Sequence, residues 1–517
     1  MIFLYGPSGS GKSTVGKLLA EYLDKVFYDL DEEIGLAAGE PIAEIFEQQG
    51  EAAFREIESA ELENILVRQE GVVALGGGAL LDPRNHARVN ARGPVLCLKA
   101  SAETMLTRLK NDHFVRPLLS EGGDAGFEKY LAVRAEHYAS FPMVLDTTDC
   151  SPEDAAWQAQ VQLGMFHISG MGQGYDVRVQ SGILQSLDQV SQQLELSGSM
   201  ALVSDSNVAG LYADNTARSL GKFGYPVYPL VIPAGESHKT LETVKQTWDA
   251  FARNKLDRGS TVVALGGGVV GDLAGFAAAT YLRGVRWVNF PTSLLAMVDA
   301  SLGGKTGANL EQGKNLIGAF HAPRLVLADT DTLDTLPEDE LLNGLGEVVK
   351  HGVIGDAALF SLCARGLNDV KKNLNEIIRR AIAVKVKIIE ADPYERNLRQ
   401  VLNLGHTVGH ALEKASNFLL KHGEAVSIGM VAEASLAERI NLAEAGLAQE
   451  IRGALTALGL PVDIPPDLDW DVVVGAMKMD KKRVNGKMRF ALPVRIGCVQ
   501  PGIEIKDLDK SMFVSSL

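Results

Sequence analysis

Two groups of residues in this sequence have the types and spacing to do chemistry. The first is Asn403-Leu-Gly-His406-Thr-Val-Gly-His410, followed by His422-Gly-Glu-Ala425. His406 and His410 are four apart and share a face if the segment is helical. Imidazole is a borderline-soft donor that suits zinc, and two imidazoles with one carboxylate make a three-ligand site whose fourth position is open to substrate. A lone histidine is more often a satisfied core residue, but three within seventeen positions, each beside glycine, argue for a site. The carboxylate is offered upstream by Gly344-Leu-Gly-Glu347-Val-Val-Lys350, where an acid interrupts an apolar stripe and needs a partner. Spacing leaves open whether His410 is a ligand.

The second group is Gly6-Pro-Ser-Gly9-Ser-Gly11-Lys12-Ser13-Thr14, between a strand-like Ile2–Tyr5 and an amphipathic helix expected over 14–24. In such a loop, backbone N–H groups and the helix N-terminus hold phosphates, Lys12 reaches the outer ones and Ser13 meets magnesium. Asp29 and Asp31 end a second strand over 26–28. One carboxylate could hold magnesium through water, and the other could accept a proton from an attacking hydroxyl. Gly76-Gly77-Gly78 closes a strand from Val72, where backbone can approach a ligand. Arg55, Arg116 and Arg134 supply bidentate forks for a carboxylate and a transferring phosphate.

These residues need several cores to position them, since 517 residues is long for one domain and predicts two to four. The net charge of -15 disfavours a nucleic-acid or acidic-membrane partner, so local basic clusters must answer local anions. Cys97, Cys150, Cys363 and Cys498 are far apart, which argues against a disulfide framework and a cysteine zinc site. With neither a signal-peptide pattern nor an 18-residue apolar run, a cytoplasmic protein is expected.

From Asp176 strand candidates at 177–180, 200–204, 226–231, 261–265 and 287–290 alternate with helices, which implies a largely parallel sheet. Gly266-Gly267-Gly268-Val269-Val-Gly271-Asp272 follows the fourth strand and fits the dinucleotide pattern, although no acidic residue stands at the ribose spacing. The run Val-Val-Ala-Leu-Gly-Gly-Gly occurs at 72 and at 262 with different flanks, and is read as one strand-to-loop solution used twice. Single cations beside glycine or apolar residues recur at Lys305, Lys314, Lys350, Lys385, Arg399 and Lys481, as anion recognition requires. Past Pro337 helical patterns dominate, broken at Asp392-Pro393, and residues 481–492 read as a hairpin about Asn485-Gly486.

Residues 1 to about 160 resemble shikimate kinase, and roughly 170 to 500 resemble 3-dehydroquinate synthase. The resemblances imply an α/β fold: a P-loop kinase domain over 1–162, a linker over 163–175, an NAD-binding α/β domain over 176–330 and a mainly helical metal-binding domain over 331–517. For the kinase part they imply Gly6, Gly9, Gly11, Lys12, Ser13 and Thr14 on ATP phosphates, with Ser13 and Asp29 on magnesium. Asp31 would meet the shikimate hydroxyl, Arg55, Gly77, Gly78 and Arg134 the rest of shikimate, and Arg116 the transferred phosphate.

For the synthase part the resemblance implies zinc, or cobalt, on Glu347, His406 and His422, with His410 handling protons beside the substrate. Asp205, Asn207, Glu236, Lys239, Gly267, Gly268, Val269, Asp272, Thr292, Ser293, Lys305 and Lys314 would line the NAD pocket. Arg283, Asp299, Lys305, Asn315, Lys350, Lys385, Arg399, Asn403, His410 and Lys481 would surround a substrate carrying phosphate and carboxylate, Arg283 reaching a neighbouring subunit's site in a homodimer. Lys305 and Asp299 count among the catalytic set. The implied reactions are the second and fifth steps of aromatic (chorismate) biosynthesis. A polyol dehydrogenase, another sugar-phosphate cyclase and an inactive assembly module are the rival readings; the dehydrogenase would leave the lysine set unexplained.

Overall fold

The computed structural model describes residues 1–68, 70–111, 123–187, 198–479, 488–505 and 513. It divides into two compact units, Met1–Phe166 and His167–Leu517. In the first, five parallel strands run in the spatial order Phe27–Asp29, Val72–Ala74, Ile2–Tyr5, Val95–Lys99, Val144–Asp146. The central Ile-Phe-Leu-Tyr strand is buried on both faces, so it reads as a continuous apolar run. Phe3 and Tyr5 pack into one core with Leu30, Phe54 and Leu62, while Ile2 and Leu4 pack into the other with Leu19 and Ala156. Helix Lys12–Tyr22 begins at Gly11, whose left-handed backbone (φ 96°) suits a residue without Cβ.

The second unit is built on a sheet ordered Tyr175–Val179, Leu325–Ala328, Arg286–Pro291, Thr261–Gly266, Met200–Asp205, Val227–Ile232, with Met165–Ile168, the strand in which the division between the units falls, as a seventh at the Tyr175–Val179 edge. The five strands expected from the alternation are present within one or two residues. The segment expected as a linker over 163–175 instead supplies an edge strand, because Phe166 and Ile168 are apolar at alternate positions and both are buried. After Met200–Asp205 the chain places Val227–Ile232 on one side and Thr261–Gly266 on the other. This reversal opens a crevice at the carboxyl ends of the two inner strands, where such sheets bind ligands.

The strands Val95–Lys99, Val144–Asp146 and Leu325–Ala328 were not anticipated, nor were two strand pairs outside these sheets. Lys305–Leu310 and Gly313–Phe320 form an antiparallel hairpin. Gly307 and Gly318 face each other across it, and a Cβ on either would lie 2.4 or 2.2 Å from the opposite carbonyl oxygen. A second pair, Met488–Arg495 with Cys498–Ile505, turns at Ile496-Gly497. The expected turn at Asn485-Gly486 and Lys481 lie outside the described residues, while Met488–Leu492 takes its partner from downstream.

Helices make up most of residues 338–479, the longest being Glu338–Gly355, Leu374–Ala391 and His422–Arg439. Among the described residues no helix is long and apolar enough to cross a membrane.

Two candidate active sites

In the first unit the glycine loop closes on itself. Lys12 Nζ donates to the carbonyls of Gly6 and Pro7 at 2.9 and 3.0 Å, so the ammonium sits inside the loop that would wrap phosphates. Gly6 and Gly9 hold positive φ, and a Cβ on Gly6 would strike the Leu98 carbonyl at 2.1 Å. Gly11 and Thr14 flank the start of the helix, Thr14 exposed. Ser13 Oγ donates to Asp29 Oδ2 at 2.5 Å, bringing together the hydroxyl and carboxylate expected around magnesium. Asp29 also accepts from the Asp31 N–H at 3.1 Å, capping helix Leu30–Ala38.

Asp31 and the glycine tract are neighbours: a Cβ on Gly76 would stand 3.1 Å from Asp31 Oδ1 and 2.7 Å from Glu58 Oε1. The Arg55 guanidinium lies against Gly78, 2.6 Å from where a Cβ would be. Arg134 Nη1 donates to Tyr130 Oη at 2.6 Å, and that hydroxyl stands beside Gly77. Asp31, Arg55, Gly77, Gly78 and Arg134 are therefore one cluster. Arg116 lies outside the described residues.

Two members of this site were missed. Glu58, 2% exposed, accepts from Arg55 Nη1 at 2.6 Å; burial lifts its carboxyl above the usual range against the pull of Arg55. Its signal was the i, i+3 spacing Arg55–Glu58. Arg108 braces the loop through the Thr147 carbonyl (2.7 Å), Thr147 Oγ1 (3.0 Å) and the Gly9 carbonyl (3.4 Å), for which the sequence carried no signal.

In the second unit three helices crowd to make the other site. A Cβ on Gly346 would lie 2.4 Å from the Gly423 carbonyl, and one on Gly429 would lie 2.0 Å from the Gly405 carbonyl. Glycine alone permits this approach, and it brings Glu347, His406 and His422 to one point. Glu433 fixes the start of helix His406–Ala415 by accepting from the N–H groups of Gly405 (2.6 Å) and Val408 (3.2 Å). Asn343 Oδ1 does the same for His422–Arg439 through Gly423 N–H at 2.7 Å.

Glu347 Oε1 faces His406 Nε2 at 3.6 Å and His422 Nε2 at 3.3 Å. The residue is wholly buried, neither carboxylate oxygen has a well-formed hydrogen bond, and Lys350 contacts Oε2. Burial opposes its charge, yet Lys350 and the two histidines hold its carboxyl well below the usual range. Because a carbonyl only accepts, the 3.1 Å contact between His406 Nδ1 and the Leu404 carbonyl puts the proton on Nδ1 and leaves Nε2 a lone pair. Burial and Lys350 keep His406 neutral. Burial disfavours charge on His422, but Glu347 and Glu413 outweigh it and push its pKa up to about 10. Two neutral-capable imidazoles and a buried anion with ill-satisfied oxygens fit a tetrahedral N,N,O metal site. His410 stands beside it, its ring centroid 5.0 Å from that of His406.

Around this point lie most of the expected cations. Lys385 Nζ donates to Asp299 Oδ1 (2.5 Å) and to the Asp299 carbonyl (2.6 Å). Burial pushes Lys385 down to about 8 despite that partner, and Lys385 in turn holds Asp299 below the usual range against burial. The Arg399 guanidinium rests on Gly303, whose missing Cβ would be 2.0 Å from Nη2, and donates to the Pro393 carbonyl at 2.5 Å. Asn403 ends the short turn Leu398–Asn403 directly before the histidine helix. Lys305 pairs with Glu395, a missed residue held in a left-handed turn (φ 57°) just after Asp392-Pro393. That breaker was the available signal.

The crevice residues meet this site through the hairpin. Lys239, 4% exposed, contacts Asp272 and donates to Asn315 Oδ1 at 2.6 Å. Next to Asn315, Lys314 Nζ lies 3.9 Å from Glu413 and 4.1 Å from the Phe418 ring centroid. Gly267 precedes helix Gly268–Thr280, which has no side-chain cap and so leaves its first N–H groups for an anion. Val269 and Asp272 lie in that helix, and Ser293 and Thr292 stand beside the loop. Asp205 accepts from the N–H groups of Asn207 and Val208 at 2.8 and 3.0 Å, and Glu236 accepts from Asn309 at 2.7 Å. The uncapped glycine loop in the crevice fits a dinucleotide pyrophosphate. Arg283 is not gathered: it is exposed in the turn at the far end of helix Gly268–Thr280.

Residues 8–163 match the family model for shikimate kinase, 229–343 that for the 3-dehydroquinate synthase N-terminal part, and 344–483 that for its C-terminal part. The 3-dehydroquinate synthase of Rippkaea orientalis is 44% identical over 334 residues, which cover 63% of this chain and 91% of that protein. The chain belongs to the 3-dehydroquinate synthase family, with a shikimate kinase unit ahead of it.

The synthase of Thermosynechococcus vestitus is 47% identical over 57% of this chain and 82% of its own length. Among solved structures, 2-epi-5-epi-valiolone synthase from Streptomyces hygroscopicus, with NAD+ and Zn2+ bound, is 31% identical over 66% of this chain and 94% of its own, with a TM-score of 0.59. A 2-deoxy-scyllo-inosose synthase complexed with carbaglucose-6-phosphate, NAD+ and Co2+ is 29% identical over 65% and 96%, with a TM-score of 0.60. Family membership makes this chain a bifunctional enzyme of the shikimate pathway, phosphorylating shikimate in one unit and forming 3-dehydroquinate in the other.

Proposed function

We propose that the two clusters are the two active sites and that their residues divide the work as follows. In the synthase unit Glu347, His406 and His422 hold zinc or cobalt, and the crevice formed by Asp205, Asn207, Glu236, Lys239, the Gly267–Asp272 segment, Thr292 and Ser293 holds NAD. When bound, the metal supplies Lewis acidity at the hydroxyl to be oxidised, and NAD takes up and returns a hydride. His410 moves a proton at Nε2 beside the substrate. Lys305, Lys314, Asn315, Lys350, Lys385, Arg399, Asn403 and Lys481 bind the phosphate and carboxylate of 3-deoxy-D-arabino-heptulosonate 7-phosphate, with Asp299 orienting Lys385.

In the kinase unit Lys12 and the loop N–H groups bind ATP phosphates, and Ser13 and Asp29 hold magnesium. Asp31 accepts the proton of the shikimate 3-hydroxyl, and Arg55, Arg134, Gly77 and Gly78 bind the substrate. Arg116 meets the transferring phosphate. A kinase domain over 1–162, an NAD-binding domain over 176–330, a helical metal-binding domain over 331–517, a cytoplasmic setting and a homodimer that brings Arg283 to the partner's site complete the proposal.

The observation that carries the synthase assignment is the convergence of Glu347 Oε1 on His406 Nε2 and His422 Nε2. It is tested by following phosphate release from the heptulosonate phosphate after chelation, zinc restoration and NAD omission. Release that requires both metal and NAD without net NADH is expected. Net NADH from a polyol without phosphate release would move the unit to the dehydrogenases.

A further inference from the structure

One buried carboxylate of the synthase unit has no task in that proposal. Glu413 lies on the histidine helix, three residues past His410, and is 8% exposed. Its Oε1 stands 3.7 Å from His422 Nδ1 and 3.9 Å from Lys314 Nζ, and its Oε2 stands 4.0 Å from His410 Nε2. These are ion-pair distances, longer than good hydrogen bonds. A single buried anion thus faces a metal-site histidine, the neighbouring histidine and a lysine of the hairpin that reaches the crevice.

The geometry of His422 gives this contact its meaning. Its ring turns Nε2 toward Glu347 and Nδ1 toward Glu413. A neutral imidazole has one N–H and one lone pair, and a carboxylate only accepts. For Nε2 to ligate a metal, the proton must sit on Nδ1, where Glu413 is the facing acceptor. His406 meets the same requirement with the Leu404 carbonyl. The two histidines therefore share a design in which Nδ1 faces an acceptor, hydrogen-bonded in His406 and at ion-pair distance in His422, and Nε2 faces inward.

We infer that Glu413 is a positioning residue that fixes the tautomer and ring plane of His422, and that it anchors Lys314 of the hairpin through the same oxygen. The inference rests on His422 being a metal ligand. Phe418 supports it from the other side, since Lys314 lies over its ring and is held between aromatic face and carboxylate. Glu413 thereby links the metal-holding helices to the hairpin whose Asn315 contacts Lys239 in the crevice.

The test uses the full chain stripped of metal and titrated with Zn2+ against a chromophoric chelator, with the visible spectrum of the Co2+ form as a second readout. Glu413→Gln, whose amide can donate to Nδ1 and so favour the wrong tautomer, is expected to weaken zinc about 10–100-fold. It should also change the Co2+ bands, and Glu413→Asp should restore part of both. His422→Ala serves as the reference for a lost ligand. Wild-type zinc affinity and an unchanged spectrum in Glu413→Gln, beside metal loss in His422→Ala, would overturn the inference and leave the metal site standing. Wild-type affinity in His422→Ala would overturn the ligand assignment itself. A Glu413→Gln loss as complete as that of His422→Ala would make Glu413 a ligand and overturn its positioning role.

Discussion

Lys385 shows how burial and pairing compete at one residue. Its ammonium is buried against Asp299, and burial is the larger effect, so the proton is held only up to about pH 8. Because the charged form is the one that attracts a substrate anion, kcat/KM of the synthase reaction is expected to fall as pH rises through about 8. The Lys385→Met enzyme should be weaker throughout and lack that limb. A wild-type profile flat to pH 9 would remove Lys385 from substrate binding. In the kinase unit Glu58 holds the Arg55 fork through a charge-assisted bond. Glu58→Gln should raise KM for shikimate about tenfold, the scale of losing one such bond, while KM for ATP stays unchanged; equal effects on both would point to general loss of structure.

At the scale of elements, the metal site depends on glycines that carry no chemistry. The Gly429 backbone meets the Gly405 carbonyl so closely that a methyl group has nowhere to go. Gly429→Ala should cost at least about 1–3 kcal/mol of stability and weaken metal binding along with it, as thermal unfolding and metal content would record. Retention of both would mean the helices can part without harm.

This is also where the sequence stopped being legible. Three of the five strands of the first sheet, five of the seven of the second, the phosphate loop and the histidine helix were readable, because period-two and period-3.6 patterns and turn residues encode local structure. The hairpin Lys305–Phe320 was not, because its glycines look like loop formers and only the facing strand explains them. Glu58, Glu395, Glu413 and Glu433 were passed over for a related reason. In a chain with 65 acidic residues the spacing to Arg55 and the break at Asp392-Pro393 mark Glu58 and Glu395 only faintly, and Glu413 and Glu433 show their importance only when folding sets them against a histidine or a helix start. Lys481 and Arg116 lie outside the described residues, so their places rest on resemblance alone.

For the whole molecule, each unit has its own cores, and the described residues that gather into each cluster belong to one unit. Two catalytic sites that share no residue should fail separately. The most direct measurement assays both activities in one preparation of the full chain: phosphate transfer from ATP to shikimate, and NAD-dependent phosphate release from the heptulosonate phosphate. Wild type should show both. Lys12→Ala should lose the first by orders of magnitude and keep the second, and His406→Ala should do the reverse. Loss of both activities in either variant, with the protein still folded, would contradict independent sites.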